Sequence, residues 1–288
     1  MKASASSPLR ACPPRLGSDW TVVALAHAVL RERFTQLSHN LKAFGRSDDP
    51  EVVHQARVGW RRFKSGLRLF KPLLPGAATP SCSRLQPLLV GLGTLRNLDV
   101  AVTQTLPALA AAYTQGDAGR GERWQSVMLA LIQAAAQQRQ ATRRELQRPA
   151  VAANLLALAQ WLDSLPSPAP SAGAGKGARR GWAKRRVGRL HQRLQLAQQE
   201  AKTLAEQHQV RILAKRLRYG VEALRDHLPK RLADDCDQQA IELQSRIGAT
   251  RDLAQAANLV AQLGADEGIA QYLCGVAVGA QWAAHRGR

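Results

Sequence analysis

Aromatic residues, cysteines and acidic side chains are all scarce in this sequence. Phe, Trp and Tyr make up 5% of 288 residues and are not interleaved with basic residues as a stacking platform for single-stranded bases. Cys12, Cys82, Cys236 and Cys274 lie far apart with no C-x-x-C spacing. That argues against a zinc site and for reduced thiols in an intracellular protein. No uninterrupted apolar run reaches the roughly 18 residues of a membrane span, and "YLCGVAVGAQWAA" is better read as a buried helix. The N-terminal "MKASASSPLRACPP" has no apolar core of a signal peptide, so a soluble, cytoplasmic protein is expected. Strand signals are missing too: no window alternates strictly with β-branched enrichment.

Catalytic signatures are equally scarce. "GAGKG" lacks the Ser/Thr of a phosphate-binding loop and follows no strand, and "GLGTLR" is not G-x-G-x-x-G. No H-E-x-x-H occurs, and no acidic constellation suggests metal-assisted hydrolysis. The expectation is a protein without a metal or cofactor and without catalytic residues.

The shortage of acids leaves a large charge imbalance. Against 21 Asp+Glu stand 41 Lys+Arg, a formal net charge of +20. A field that positive attracts polyanions such as nucleic acid, polyphosphate or an anionic membrane. Hydrophobic residues make up 45% of the chain, so a substantial core can be buried.

Ala, Leu, Gln and Arg dominate, and almost every segment reads as helix. A helix over 20–44 stops at Gly45. The next starts with Asp49 as N-cap, Pro50 at the first position and Glu51 in the first turn, and ends at Pro75-Gly76. A third runs from Ser83 to Tyr113, bent near Pro107. "TQGDAGRG" is read as a loop. Helices follow over 122–147 and from Pro149 to Leu165. "PSPAPSAGAGKG", residues 166–177, has linker composition. Helix resumes at Ala178, and "TLAE" at Thr203 to Glu206 has capping-box spacing. That helix ends at Pro229; one to about Leu263 and a last one after "GADEG" complete the chain.

The chain repeats itself. "HQARVGWRRFKSGLRLFKPLLP" from His54 and "HQVRILAKRLRYGVEALRDHLP" from His208 align without a gap at an offset of 154. "LGTLRNLDV" from Leu92 and "IGATRDLAQ" from Ile247 align at 155, matching Gly93 to Gly248, Arg96 to Arg251 and Asn97 to Asp252. Two blocks in one order indicate a duplicated helical unit. The expected fold is all-α: two pseudo-symmetric four-helix bundles joined by a flexible linker. The corresponding division is a disordered tail over 1–17, a first bundle over 18–165, the linker over 166–177 and a second bundle over 178–288.

At 100° per residue, Arg57, Arg61, Lys64, Arg68 and Lys71 fall on one side of His54, within an arc of roughly 100°. An adjoining apolar arc holds Val52, Ala56, Trp60, Phe63, Leu67, Phe70 and Leu74. The second copy gives His208, Arg211, Lys215, Arg218 and Arg225 beside Val210, Leu213, Leu217, Val221, Leu224 and Leu228. Glu222 takes the place of Arg68, and Arg62 and Arg216 flank the stripes. A stripe of about 25 Å with few acidic i,i+4 partners suits a polyanion better than water alone. Arg outnumbers Lys, and its planar fork matches phosphate oxygens. Arg179, Arg186, Arg189 and Arg193 add possible anion contacts near one face. Arg96 and Arg251 read as structural, holding a helix junction through Asn97, Asp99 or Asp252.

The motifs H-x-x-R-x-x-x-R-R, H-x-x-R-x-x-x-K-R-x-R-Y, L-G-x-x-R-[ND]-x-D-V and I-G-x-x-R-D-L resemble the CHAD family, the conserved histidine α-helical domain. The resemblance covers residues 20 to 285. It implies two four-helix bundles whose basic residues line a central groove or pore, binding inorganic polyphosphate at polyphosphate granules. Carried over by position, it sets His54, Arg57, Arg61, Arg62 and Lys64 with His208, Arg211, Lys215, Arg216 and Arg218 around that cavity. The E-x-E-x-K motif of the enzyme domain attached in many members is missing, so no activity is expected. Glu222, within an R-Y-x-x-E pattern, is expected to pair with a neighbouring base. The competing readings are a general polyanion or nucleic-acid-binding helical protein and a polyphosphate-metabolising enzyme. Polyphosphate is the expected partner, other polyanions are possible ones, and no membrane association is expected.

Overall fold

The computed structural model describes residues 7–12, 21–74, 79–165, 175–201 and 203–286. Among them there is no strand, as expected. The α-helices are α1 (Val22–Phe44), α2 (Pro50–Phe70), α3 (Gln86–Val100), α4 (Leu106–Thr114), α5 (Ala118–Leu146), α6 (Pro149–Ser164), α7 (Gly175–Glu200), α8 (Leu204–Leu224), α9 (Lys230–Gln262) and α10 (Glu267–Arg286). No helix is long and apolar enough to cross a membrane among the described residues.

Local chemistry sets the boundaries. Asp49 accepts from the Glu51 N–H ahead of Pro50, and Thr203 and Glu206 close a reciprocal capping box at the start of α8. Between α3 and α4 the chain widens into a π-turn over Ala101–Thr105, immediately before Pro107. Pro107 has no N–H, and its ring would collide with the carbonyl four residues back, so the widened turn absorbs the misfit expected there. The expected "TQGDAGRG" loop is shorter than its sequence suggests. Gly116 turns the chain at φ 76°, and Asp117 then caps α5 by accepting from Arg120. The linker expectation for 166–174 lies outside the described residues, while 175–177 are already helical.

The chain divides into two compact units, each built from separated stretches. One comprises 1–82 with 152–244, the other 83–151 with 245–288. This differs from consecutive bundles over 18–165 and 178–288. Both repeated histidine helices, α2 and α8, belong to the first unit, each packed on its preceding helix, α1 or α7. The reason lies in the apolar arcs. Val52, Ala56, Phe63 and Phe70 from α2, and Val210, Leu217, Val221 and Leu224 from α8, are all buried. Each histidine helix packs on its neighbouring helix, and α2 also packs on α8. The second unit is centred on Leu98, Leu106, Trp124, Val127, Leu131, Val260, Ile269 and Leu273.

The expected disordered tail is also partly ordered. Residues 7–12 lie along α1: Leu9 exchanges hydrogen bonds with the Asn40 side chain at 3.0 and 2.9 Å, and the Cys12 N–H donates to Glu32.

Candidate functional site

In the first unit, contacts between α2 and α8 run in opposite order along the two helices. Arg62 pairs with Glu222, Arg68 lies close enough to Arg216 to depress its basicity, and a Cβ on Gly220 would approach Leu69. The helices therefore cross antiparallel near Gly66 and Gly220, positions related by the 154-residue offset. His54 and His208 each lie twelve residues before the crossing, about 18 Å of helix, and so at opposite ends. The histidines do not share one cluster. The cations between them form the shared surface.

A buried polar hub lies under the crossing. Arg33 of α1 is 1% exposed and donates from Nη1 to the Arg62 carbonyl and from Nη2 to the Tyr219 carbonyl, both at 2.9 Å. Burial, reinforced by the positive charge of Arg62, lowers its guanidinium to about 9. It therefore stays charged at neutral pH. Arg62 is itself buried. It donates to Gln36 Oε1 at 2.6 Å and pairs with Glu32 at 3.7 Å and with Glu222. Glu222 thus has the basic partner expected of it. Arg62, expected at the anion surface, instead ties α1, α2 and α8 together. The apolar sides of a helix crossing desolvate whatever points inward, and two carboxylates supply the compensation.

Outside the hub the cations gather with like charge. Arg216 is depressed by burial, then by Arg68 and Arg193, and its buried Nε has no hydrogen-bond partner among the described residues. Arg186 is depressed by burial, then by Arg189 and Arg193. Arg68, Arg189, Arg193 and Arg216 thus draw α2, α7 and α8 into one cationic surface. Arg61 on α2 likewise has a buried Nε without a partner among the described residues. Lys64, Lys71 and Arg218 are exposed; Lys64 sits 5.9 Å from the Trp60 ring centre, and Arg218 reaches Gln244 at 3.5 Å. His54, Arg57, Arg211 and Lys215 are half-buried along their helices, and His208 is exposed.

Three of the additional candidates have other uses. Arg186 donates to the carbonyls of Leu69 and Arg68, closing the C-terminus of α2. Arg225 pairs with Asp234 at 2.5 Å and Asp237 at 3.1 Å, carboxylates that the next helix brings beside it. Arg179 is 2% exposed and borders the buried His227. In the second unit, Asp99 pairs with Arg139 at 3.2 Å, a partner not expected from the sequence, and burial raises its carboxyl while the positive charges of Arg139 and Arg96 pull it back down. Arg33 was not singled out from the sequence. The available signal was its place in α1, spaced from Leu30 and Leu37 on the apolar face.

These features define a class: an all-helical protein that carries a duplicated, cationic helix and gathers both copies into one unit. The chain belongs to the CHAD family; the CHAD domain model matches residues 28–261. No match was found among curated proteins. Among solved structures it resembles the CHAD domain from the plant Ricinus communis, with 24% identity and a TM-score of 0.77, covering 96% of this chain and 91% of that one. It also resembles PptA from Streptomyces chartreusis, with 18% identity and a TM-score of 0.59, covering 92% and 99%. At these identities the likeness is one of fold.

Proposed function

We propose that the protein binds inorganic polyphosphate without reacting on it, holding the chain of phosphates along the cationic surface of α2, α7 and α8 and associating with polyphosphate granules. The supporting observation is the like-charged convergence of Arg68, Arg193 and Arg216. A guanidinium such as that of Arg216, with two others close by, gains from an anion that bridges them. The duplicated sequence and the antiparallel crossing at Gly66 and Gly220 favour a pseudo-two-fold arrangement. In it His54, Arg57, Arg61, Lys64 and Arg68 continue into Arg216, Lys215, Arg211 and His208 from the other copy. Arg189, Arg193 and Arg218 border the same path. A flexible polymer with one charge on nearly every unit suits such a ladder.

The test is a titration with long-chain polyphosphate at near-physiological salt, with RNA and double-stranded DNA as competitors. The expected result is tight binding that nucleic acid does not displace at comparable phosphate concentration. Equal competition would instead make the protein a general polyanion binder. The fourfold variant Arg57→Glu, Arg61→Glu, Arg211→Glu, Lys215→Glu should abolish binding while keeping helical content and cooperative melting. Unchanged affinity in that folded variant rules out the site. Incubation with polyphosphate and magnesium should release no phosphate, and sustained release would overturn the non-enzymatic reading.

A further inference from the structure

The hub under the α2–α8 crossing joins the two helices that carry the stripes. Arg33 reaches two backbones with one planar fork. Because both carbonyls are 2.9 Å from its nitrogens, their oxygens are no more than about 8 Å apart. The same guanidinium fills the space beside Gly66: a Cβ there would come within 3.2 Å of Nη1. At the matching position of α8, a Cβ on Gly220 would meet Leu190 at 2.9 Å and Leu69 at 3.7 Å. Gly66 thus leaves room for the α1 side chains, Arg33 among them, and Gly220 for Leu190 of α7, with Leu69 of α2 beyond it. The Arg62–Glu222 pair adds a second tie between the helices.

We propose that Arg33 is a positioning residue that determines polyanion specificity: by pinning α2 to α8 it holds two cationic walls at a spacing that one chain of phosphates can bridge and a duplex cannot. The inference rests on the polyphosphate reading above. Closely packed helices stand about 8–10 Å apart, so phosphates lying along their crossing reach side chains of both. In a duplex the phosphates run on two strands separated by grooves of about 6 and 12 Å, and such a body meets one wall at a time. Loosening the hub therefore weakens the ligand that needs both walls and leaves the other nearly unchanged. Lysine at this place keeps the charge but presents one point in place of a fork, so it reaches one carbonyl and releases the other.

The experiment compares dissociation constants for long-chain inorganic polyphosphate and for duplex DNA of matched phosphate content, in wild type, Arg33→Lys, Arg33→Met and Leu131→Ala. Leu131 lies in the core of the second unit, so its truncation reports general destabilisation. Wild type is expected to prefer polyphosphate. In Arg33→Lys and Arg33→Met that preference should fall at least tenfold, nearly all of it through the polyphosphate constant. Leu131→Ala should lower the melting temperature and leave the preference intact. Should Arg33→Met not fold, Arg33→Lys decides. An unchanged preference in folded Arg33→Lys, or an equal loss in Leu131→Ala, overturns the positioning role. Wild type without a polyphosphate preference overturns both this inference and the functional reading beneath it.

Discussion

His227 illustrates how a single side chain couples to the whole chain's stability. It closes the short 3₁₀ turn Arg225–His227 and is 9% exposed. Burial first, then the neighbouring positive charge of Arg179, pushes its imidazole below the ordinary 6.5, while Asp226 pulls the other way. A depressed folded-state value means that the unfolded chain binds the proton more readily. Stability is therefore present above about 6.5 and is lost as the pH falls from there through the folded value. The melting temperature should drop between pH 7 and 5, and His227→Gln should make that drop shallower. Identical slopes in the two proteins would remove His227 from the account. Residue-level chemistry of this kind is only partly legible beforehand. The stripes of His54 and His208 follow from helical periodicity. The engagement of Arg62, Arg179 and Arg225 does not, because periodicity places a residue on a face without saying which helix will cover it.

Helix-to-helix approach is decided at the scale of the element, and glycine reports it. A Cβ on Gly59 in α2 would sit 3.0 Å from both the N and the Cα of Leu37 in α1. Backbone atoms in a helix cannot move aside as a side-chain tip can, so Gly59→Ala should cost on the order of 1–3 kcal/mol by overpacking. Gly188, in the middle of α7, has nothing within 4 Å of the same position. Gly188→Ala should therefore stabilise by roughly 0.5–1 kcal/mol through helix propensity. Urea midpoints check the pair, and a shift of the same sign in both would contradict the packing seen here. The caps at Asp49 and at Thr203 with Glu206 were readable in the sequence because capping is local. The π-turn before Pro107 was readable as a disturbance but not as its form. A missing N–H and a ring clash are local facts, whereas whether the helix kinks, ends or widens depends on the packing of its flanks.

For the molecule as a whole, the charge of +20 is its most consequential property. If phosphate contacts dominate binding, the logarithm of affinity should fall linearly with the logarithm of salt concentration, because each contact releases condensed counterions. Arg68→Gln and Arg216→Gln should each lower that slope by about 1. A slope near zero in wild type would mean that charge on these helices is not what holds the ligand. Composition, helical class, caps and the doubled cationic stripe were determined by the sequence alone, since each depends on residues within a few turns of one another. Only the tertiary structure decided that α2 and α8 share one unit, that they cross antiparallel at Gly66 and Gly220, and that Arg33 lies between them. The α2–α8 contacts pair surfaces about 150 positions apart in the sequence. Many helices could cover the same apolar arc, and shape at the contact selects among them.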